Sequence, residues 1–251
     1  RVAERTEALA ESERRFRTIF DSTFQFMALL APDGTELFFG PHGNHGVPPW
    51  LGEFGADQDD AASGALITGV DHVNLAQPWQ HYDEAVLFLT SLLNLHPTSS
   101  QEVAGPSGLV RSQVMRSEGN TVRIPLNVAP MAAEQGAFTG AAYPEHVAFA
   151  CSDVVAVARR ARRRGLAFLP VPRNYYEDLV ARFDLDPEFV AELESHGLLY
   201  DRDEHGEFLH FYTATLGEVF VEVVERRGGY EGFGAPNAPV RLAAQYREFG
   251  D

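Results

Sequence analysis

The sequence predicts an α+β fold made of two βαβββ modules, and two observations predict it. A strand, a helix and three further strands run in that order from about residue 69 to 127, and the order repeats from about 145 to 225. Each copy opens on a short apolar run with one histidine, His72 within Gly69-Val70-Asp71-His72-Val73-Asn74 and His146 within Pro144-Glu145-His146-Val147-Ala148-Phe149. The two histidines lie 74 residues apart, about one module. Alternate side chains of a strand share a face, so His72 is expected to lie with Val70 and Asn74, and His146 with Pro144 and Ala148.

The elements follow from local pattern. Residues 1–20 are rich in Glu, Arg and Ala, and Phe16, Ile19 and Phe20 close an amphipathic helical pattern. A strand is expected over Phe24–Leu30, a turn at Pro32-Asp33-Gly34, and a second strand at Leu37-Phe38-Phe39. Residues 40–64 are rich in Gly, Pro and Asp and read as a loop anchored by Trp50 and Phe54. Strand 69–77 then leads to helix 79–94, where Tyr82, Ala85, Val86, Leu89, Leu92 and Leu93 mark an apolar face. Strands near 97–103, 107–117 and 120–127 complete the first module, and an Ala/Gly-rich connection spans 129–142.

The second module starts with strand 145–151 and helix 153–164. Its Arg159–Arg164 run complements the helix dipole before a stop at Gly165, which reads as a solvated helix end rather than a nucleic-acid site. An insertion over 172–196 opens two short helices, at Tyr175-Tyr176-Glu177-Asp178-Leu179 and at Asp186-Pro187-Glu188-Phe189-Val190. Strands near 198–202, 207–213 and 218–225 follow, then a helix over 239–249.

At 251 residues, 45% hydrophobic and 22% charged, the chain has the composition of a soluble globular protein with a sizeable core. A net charge of −16 argues against nucleic acid or an anionic membrane as partner. Cys151 is the only cysteine, so no intrachain disulfide forms; it reads as a buried structural thiol. No apolar run reaches about 18 residues and no signal-peptide pattern opens the chain, so a cytoplasmic protein is expected.

The chemistry is expected on the strands. Val219-Phe220-Val221-Glu222-Val223-Val224 places Glu222, 76 residues after His146, on a face with Phe220 and Val224. An ionised carboxylate among such neighbours needs a cation or hydrogen bonds. Each of His72, His146 and Glu222 taken alone reads as a hydrogen-bonded structural residue. Together, two imidazoles and one carboxylate form the facial ligand set of non-haem Fe(II) oxygenases. His42, His45, His81, His96, His196 and His205 fall in loops, turns or helix ends and read as solvated.

Several motifs resemble the metal-bearing, C-terminal half of the 4-hydroxyphenylpyruvate dioxygenase family, within the vicinal-oxygen-chelate superfamily. They are Asp71-His72-Val73, Arg123-Ile124-Pro125-Leu126-Asn127, Glu145-His146-Val147-Ala148, Tyr175-Tyr176, Leu198-Leu199-Tyr200-Asp201-Arg202-Asp203, Phe220-Val221-Glu222 and Gly232-Phe233-Gly234, in the family's order over about residues 67–248. The resemblance implies His72, His146 and Glu222 as ligands of a divalent metal, Fe(II) foremost. It places Ser112, Asn127 and Phe233 at the substrate pocket and makes the helix from about Pro239 to Phe249 a gate. A strand hydroxyl, a turn amide and a packing anchor are the plainer readings of those three residues.

The chain departs from that family where a Gln is replaced by His210, and where Asn127-Val128-Ala129-Pro130 replaces Asn-Glu-Pro. These departures are similar to the dioxygenase-like C-terminal domain of two-domain bacterial 3-dehydroshikimate dehydratases, which belong to aromatic catabolism, from quinate or shikimate to protocatechuate. His210 is then a candidate substrate contact or general acid/base, with a backbone-bonded strand histidine as the plainer alternative.

Two functions stand at this point. One is an iron-dependent dioxygenase acting on a small acidic or aromatic 2-oxo acid, with weak or no turnover of 4-hydroxyphenylpyruvate. The other is a metal-binding accessory domain of a dehydratase, with Mg, Mn or Co in place of iron and a barrel domain or a second copy of the chain as partner. Residues 1–35 resemble a PAS sensor fragment, 36–64 read as a linker or module remnant, and 65–251 as the dioxygenase-like domain.

Overall fold

The computed structural model describes residues 27–30, 36–39, 66–98, 100–106, 108–128, 145–217 and 219–248. The expected helix over 1–20, loop over 40–64 and connection over 129–142 lie outside these, as do most of the PAS-like residues. The chain divides into two compact units, Arg1–Gly64 and Ala65–Asp251. In the first, β1 (Met27–Leu30) and β2 (Glu36–Phe39) pair antiparallel with Met27 opposite Phe39, while the turn expected at Pro32-Asp33-Gly34 lies outside the described residues.

The second unit is the paired-module α+β fold. Its first module comprises β3 (Ile67–Gln77), a 3₁₀ turn (Trp79–His81), α1 (Tyr82–Leu93), β4 (His96–Pro97), β5 (Gln101–Gly105), β6 (Gly108–Arg116) and β7 (Arg123–Val128). The second comprises β8 (Glu145–Cys151), α2 (Val154–Arg163), α3 (Arg173–Phe183), α4 (Pro187–His196), β9 (Leu199–Arg202), β10 (Gly206–Tyr212) and β11 (Val219–Gly228). A 3₁₀ turn (Ala235–Asn237) then leads into α5 (Ala238–Glu248).

In each module the first strand pairs parallel with the last, β3 with β7 and β8 with β11, which the intervening helix crossover permits. The modules join where β3 and β8 run antiparallel, so one sheet passes through β6-β7-β3-β8-β11-β10-β9. Both histidine strands therefore meet at the centre of that sheet.

The sheet's pleat breaks once where it matters. The register between β3 and β8 shifts between Val70 and His72, leaving Asp71 as an extra, bulged residue. A bulge re-aims side chains, and here Asp71 and His72 are both buried while Val70 is 57% exposed. The expected grouping of His72 with Val70 thus fails, whereas Asn74 is buried as expected.

Helices cover the sheet's apolar face. Phe208, Phe211, Phe220, Leu179, Leu193 and Leu199 are essentially inaccessible, and burying each such side chain stabilises the fold by about 1.5–3 kcal/mol. Asp153 caps α2 by accepting from the Ala156 N–H, and Asp186 caps α4 by accepting from the Glu188 and Phe189 N–H groups with Pro187 at the first helical position. The arginine run does end α2, yet Arg162 is not simply solvated. It donates to the carbonyls of Ser195 (3.2 Å) and His196 (3.0 Å), closing the end of α4. Gly197 is left-handed there (φ 63°), a conformation that favours glycine, and a Cβ would lie 2.7 Å from Arg162 Nη2, so a larger residue would push the arginine's flexible end aside.

Candidate metal centre

His72 from β3, His146 from β8 and Glu222 from β11 converge. His72 Nε2 and His146 Nε2 are 3.2 Å apart, and Glu222 Oε2 is 3.2 Å from each. All three residues are buried, at 3%, 6% and 1% exposure. β8–β11 pairing sets Ala148 opposite Glu222, and β3–β8 pairing sets Ala148 opposite His72, so a methyl group is all that stands between the ligating side chains on the central strand.

The arrangement suits a divalent cation. Asp71 already accepts a hydrogen bond from the His72 Nδ1–H (2.8 Å), and burial pushes His146 down to about 4, so that its ring is neutral near pH 7. A proton bridges atoms in pairs, whereas a cation satisfies three mutually close lone pairs at once. Burial alone would raise the Glu222 carboxyl. The neighbouring His146, His210 and His72 outweigh it and hold the group well below the carboxylate range.

Two of the three ligands are oriented from behind. Asp71 receives two hydrogen bonds from Arg226, Nε to Oδ2 (2.8 Å) and Nη2 to Oδ1 (2.9 Å), and a third from Arg123 Nη1 (3.1 Å). Burial would raise the Asp71 carboxyl, but the Arg226 and His72 hydrogen bonds hold it far below its ordinary value. Glu222 Oε1 accepts from His210 Nδ1 (2.7 Å), and His210 Nε2 accepts from Asn237 Nδ2 (2.9 Å). Asn237 Nδ2 also donates to the Tyr200 carbonyl (3.1 Å). Tyr175 closes the group, accepting from the Tyr200 N–H (2.7 Å). His146 differs, because its Nδ1 is buried without a hydrogen-bond partner. Its ring is held by packing instead, 4.8 Å from Phe220 and 6.1 Å from Tyr212.

The structure places His210 behind Glu222, nearer to the plainer expectation of a hydrogen-bonded strand histidine. The ring is 0% exposed and both nitrogens are engaged, by Glu222 and by Asn237. It is absent from the residues lining the cavity. His210 thus contacts the Glu222 carboxylate and the Asn237 amide and does not line the cavity.

Ser112, Asn127 and Phe233 all line the cavity above the triad, which has about 160 Å³ of free space. That is below the range of drug-sized sites. Ser112 and Asn127 face one another across β6 and β7, and Gln101 on β5 faces Ser112 in turn, giving a polar row across three strands. The Phe233 ring stands edge-on to His72 at 5.1 Å. Arg226 ties it in place by donating to the carbonyls of Tyr230 (3.2 Å) and Gly232 (2.6 Å). The helix expected from Pro239 is α5, and Ala238, Arg241 and Leu242 carry it over the cavity. Cys151 is buried, and burial pushes its thiol up to about 12, consistent with a structural role. His205 is well exposed as expected, while His42 and His45 lie outside the described residues.

Asp71, Arg226, Asn237 and Arg241 are the site residues that sequence reasoning missed. Asp71 stood in a recognised motif, but strand alternation turned it away from His72. Asn237 and Arg241 sit beyond the last strand, where no pattern links them to Glu222 or the cavity.

Fold and site together define a class. Residues 69–191 match the Glyoxalase/Bleomycin resistance protein/Dioxygenase superfamily, and the chain carries a domain of this vicinal-oxygen-chelate type. More particularly, it is similar to 3-dehydroshikimate dehydratase of Pseudomonas putida, with 39% identity over 224 residues that cover 86% of this chain and 35% of the dehydratase. It is also similar to the probable 4-hydroxyphenylpyruvate dioxygenase 2 of Aspergillus fumigatus, at 28% identity, covering 80% of this chain and 54% of the dioxygenase. Among solved structures, a xylose isomerase-like TIM barrel/4-hydroxyphenylpyruvate dioxygenase fusion protein superposes with a TM-score of 0.70 at 37% identity, over 88% of this chain and 36% of that one. The chain spans between about a third and a half of the length of these relatives. Among the described residues no helix is long and apolar enough to cross a membrane.

Removing the amide behind His210 tests the orienting chain. Asn237→Ala is expected to weaken metal binding about 10- to 100-fold, because the His210 ring loses the donor that fixes its tautomer. It should also lower stability by about 1–3 kcal/mol for the buried groups left unpaired. Calorimetric titration with Co(II) measures the first and thermal unfolding the second. Unchanged affinity in a folded variant removes Asn237 from this role.

Proposed function

We propose that residues 65–251 form a metal-dependent domain that binds a 2-oxo acid, and that with Fe(II) it acts as a dioxygenase of the 4-hydroxyphenylpyruvate dioxygenase type. The observation that carries this reading is the convergence of His72, His146 and Glu222 on a small cavity that they line. Fe(II) in that place would supply chelation of the acid's carboxylate and keto oxygens and the electrons needed for reaction with dioxygen. The chain's own residues do the rest. Asp71 and His210 hold two ligands in fixed orientations, Ser112, Asn127 and Gln101 offer hydrogen bonds to the bound acid, and Phe233, Ala238 and Leu242 exclude water.

The second reading is a metal-binding accessory domain of a dehydratase, working beside a barrel domain without oxygen turnover. The 39% identity to a 3-dehydroshikimate dehydratase supports it, as does the barrel fusion among similar structures. Oxygen uptake and CO2 release by the iron-loaded chain, measured over a panel of 2-oxo acids, separate the two. Uptake coupled one-to-one to CO2 release is expected for the dioxygenase. Metal binding without uptake for any acid leaves the accessory reading.

A further inference from the structure

We propose that Arg241 reads a second carboxylate on the substrate, so that the site takes 2-oxo acids with two acidic ends in preference to those with a neutral tail. This rests on the reading of the triad as a metal site that chelates a 2-oxo acid.

Arg241 lies on α5 and is 6% exposed, yet it lines the cavity that the triad floors. Its guanidinium sits 5.8 Å from the centre of the Tyr212 ring and 5.5 Å from that of Phe220. Those two rings also flank His146, so the charge lies on the same side of the cavity as a candidate ligand. Among the described residues its one hydrogen bond is from Nη1 to the neutral Gln245 Oε1 (2.8 Å). No carboxylate of a described residue lies within ion-pairing distance of it.

The contrast with the other arginines decides what this means. Arg226 and Arg123 are matched to Asp71, and Arg116, which also lines the cavity, is matched to Glu231 at 2.9 Å. Among the described residues the cavity's only lining carboxylate is Glu222, and its oxygens are taken by three histidines. An arginine cannot shed its charge on burial. A guanidinium kept out of water, stacked on aromatic rings and left with donors to spare lacks an anion, and the forked donors fit a carboxylate. A 2-oxo acid with its first carboxylate at the triad would bring a second one within the same small cavity.

The test is binding of matched acids to the Co(II)-loaded chain without oxygen, followed by calorimetry. The pairs are 2-oxoglutarate with 2-oxopentanoate and 2-oxoadipate with 2-oxohexanoate, each differing only in the distal carboxylate, with glutarate as the acid that lacks the keto group. At least one dicarboxylate is expected to bind about tenfold or more tightly than its partner. That ratio should fall to within about twofold in Arg241→Gln and Arg241→Met, with Co(II) affinity kept, and be partly retained in Arg241→Lys. Ratios near one for both pairs in the native chain, or a ratio that survives in Arg241→Gln, overturn the proposal while leaving the 2-oxo acid reading intact. Glutarate binding as tightly as 2-oxoglutarate, and losing affinity in Arg241→Gln, upholds Arg241 and overturns the 2-oxo acid reading. Binding of no acid at all overturns both. Should the neutral variants fail to fold, the native ratios and Arg241→Lys decide.

Discussion

Glu222→Ala is expected to lower metal affinity by about a thousandfold or more, a change of about 4 kcal/mol. The substitution removes the only anionic ligand and leaves two neutral imidazoles, which bind a divalent cation weakly. Glu222→Gln separates this loss from structural damage. Its amide keeps an oxygen for the His210 Nδ1–H, now accepted by Glu222 Oε1 at 2.7 Å, and turns an N–H toward the two histidine nitrogens, which accept it. That variant should fold as the native chain does and still lose the metal. Co(II) titration followed by absorbance or calorimetry measures both variants. Full metal occupancy in folded Glu222→Ala protein would sink the assignment of the triad.

Asp71→Asn is expected to cost about 3–5 kcal/mol of stability, the usual effect of breaking a buried ion pair from one side. The amide is nearly the same shape, so no cavity opens. What changes is that Arg226 and Arg123 lose their counter-ion and the His72 Nδ1–H loses a charged acceptor. Metal affinity should fall about 10- to 100-fold with it. The pH dependence has a definite sign. A carboxyl held below its ordinary value of 3.8 contributes stability that is fully present above that value and lost as pH falls toward the depressed one. The stability gap between native and Asp71→Asn protein should therefore be constant near neutrality and shrink below about pH 3.8. Denaturant unfolding at several pH values measures it, and a gap that grows on acidification would contradict the pairing.

Much of this was legible in the sequence because periodicity carries it. Strand and helix order, the two helices of the insertion and the terminal helix all follow from apolar spacing and caps, and a carboxylate at Glu222 among Phe220, Val223 and Val224 announces an unusual need for partners. The bulge was not legible. One extra residue at Asp71 inverts the alternation on one side of His72, and nothing in a run of small and apolar residues marks where a register slips. The surroundings of His210 were not legible for a related reason. Alternation along β10 and pairing of His210 with Val224 fix which way the ring points, but whether it meets solvent, substrate or Glu222 depends on Asn237, which approaches from beyond the strand. Arg241 carries no signal in sequence, since an arginine on an amphipathic helix is ordinarily on its wet side.

Duplication with a deliberate gap describes the ligand set. The modules are related in order, and His72 and His146 hold equivalent places on their first strands, each strand pairing in parallel with the last strand of its own module. In the second module, Glu222 stands beside the residue two places after the histidine, Ala148. One step back from the Leu75–Leu126 pair, the corresponding place in the first module falls to Pro125, beside Asn74, whose side-chain Nδ2 donates to the Pro125 carbonyl (3.4 Å). A full copy would put a fourth ligand there and enclose the cation on both sides, as in a structural site. Proline has no donor atom to offer, and Pro125 lines the cavity instead. The broken symmetry leaves one side of the centre facing open space, turning a twofold scaffold into a receptor with a front and a back.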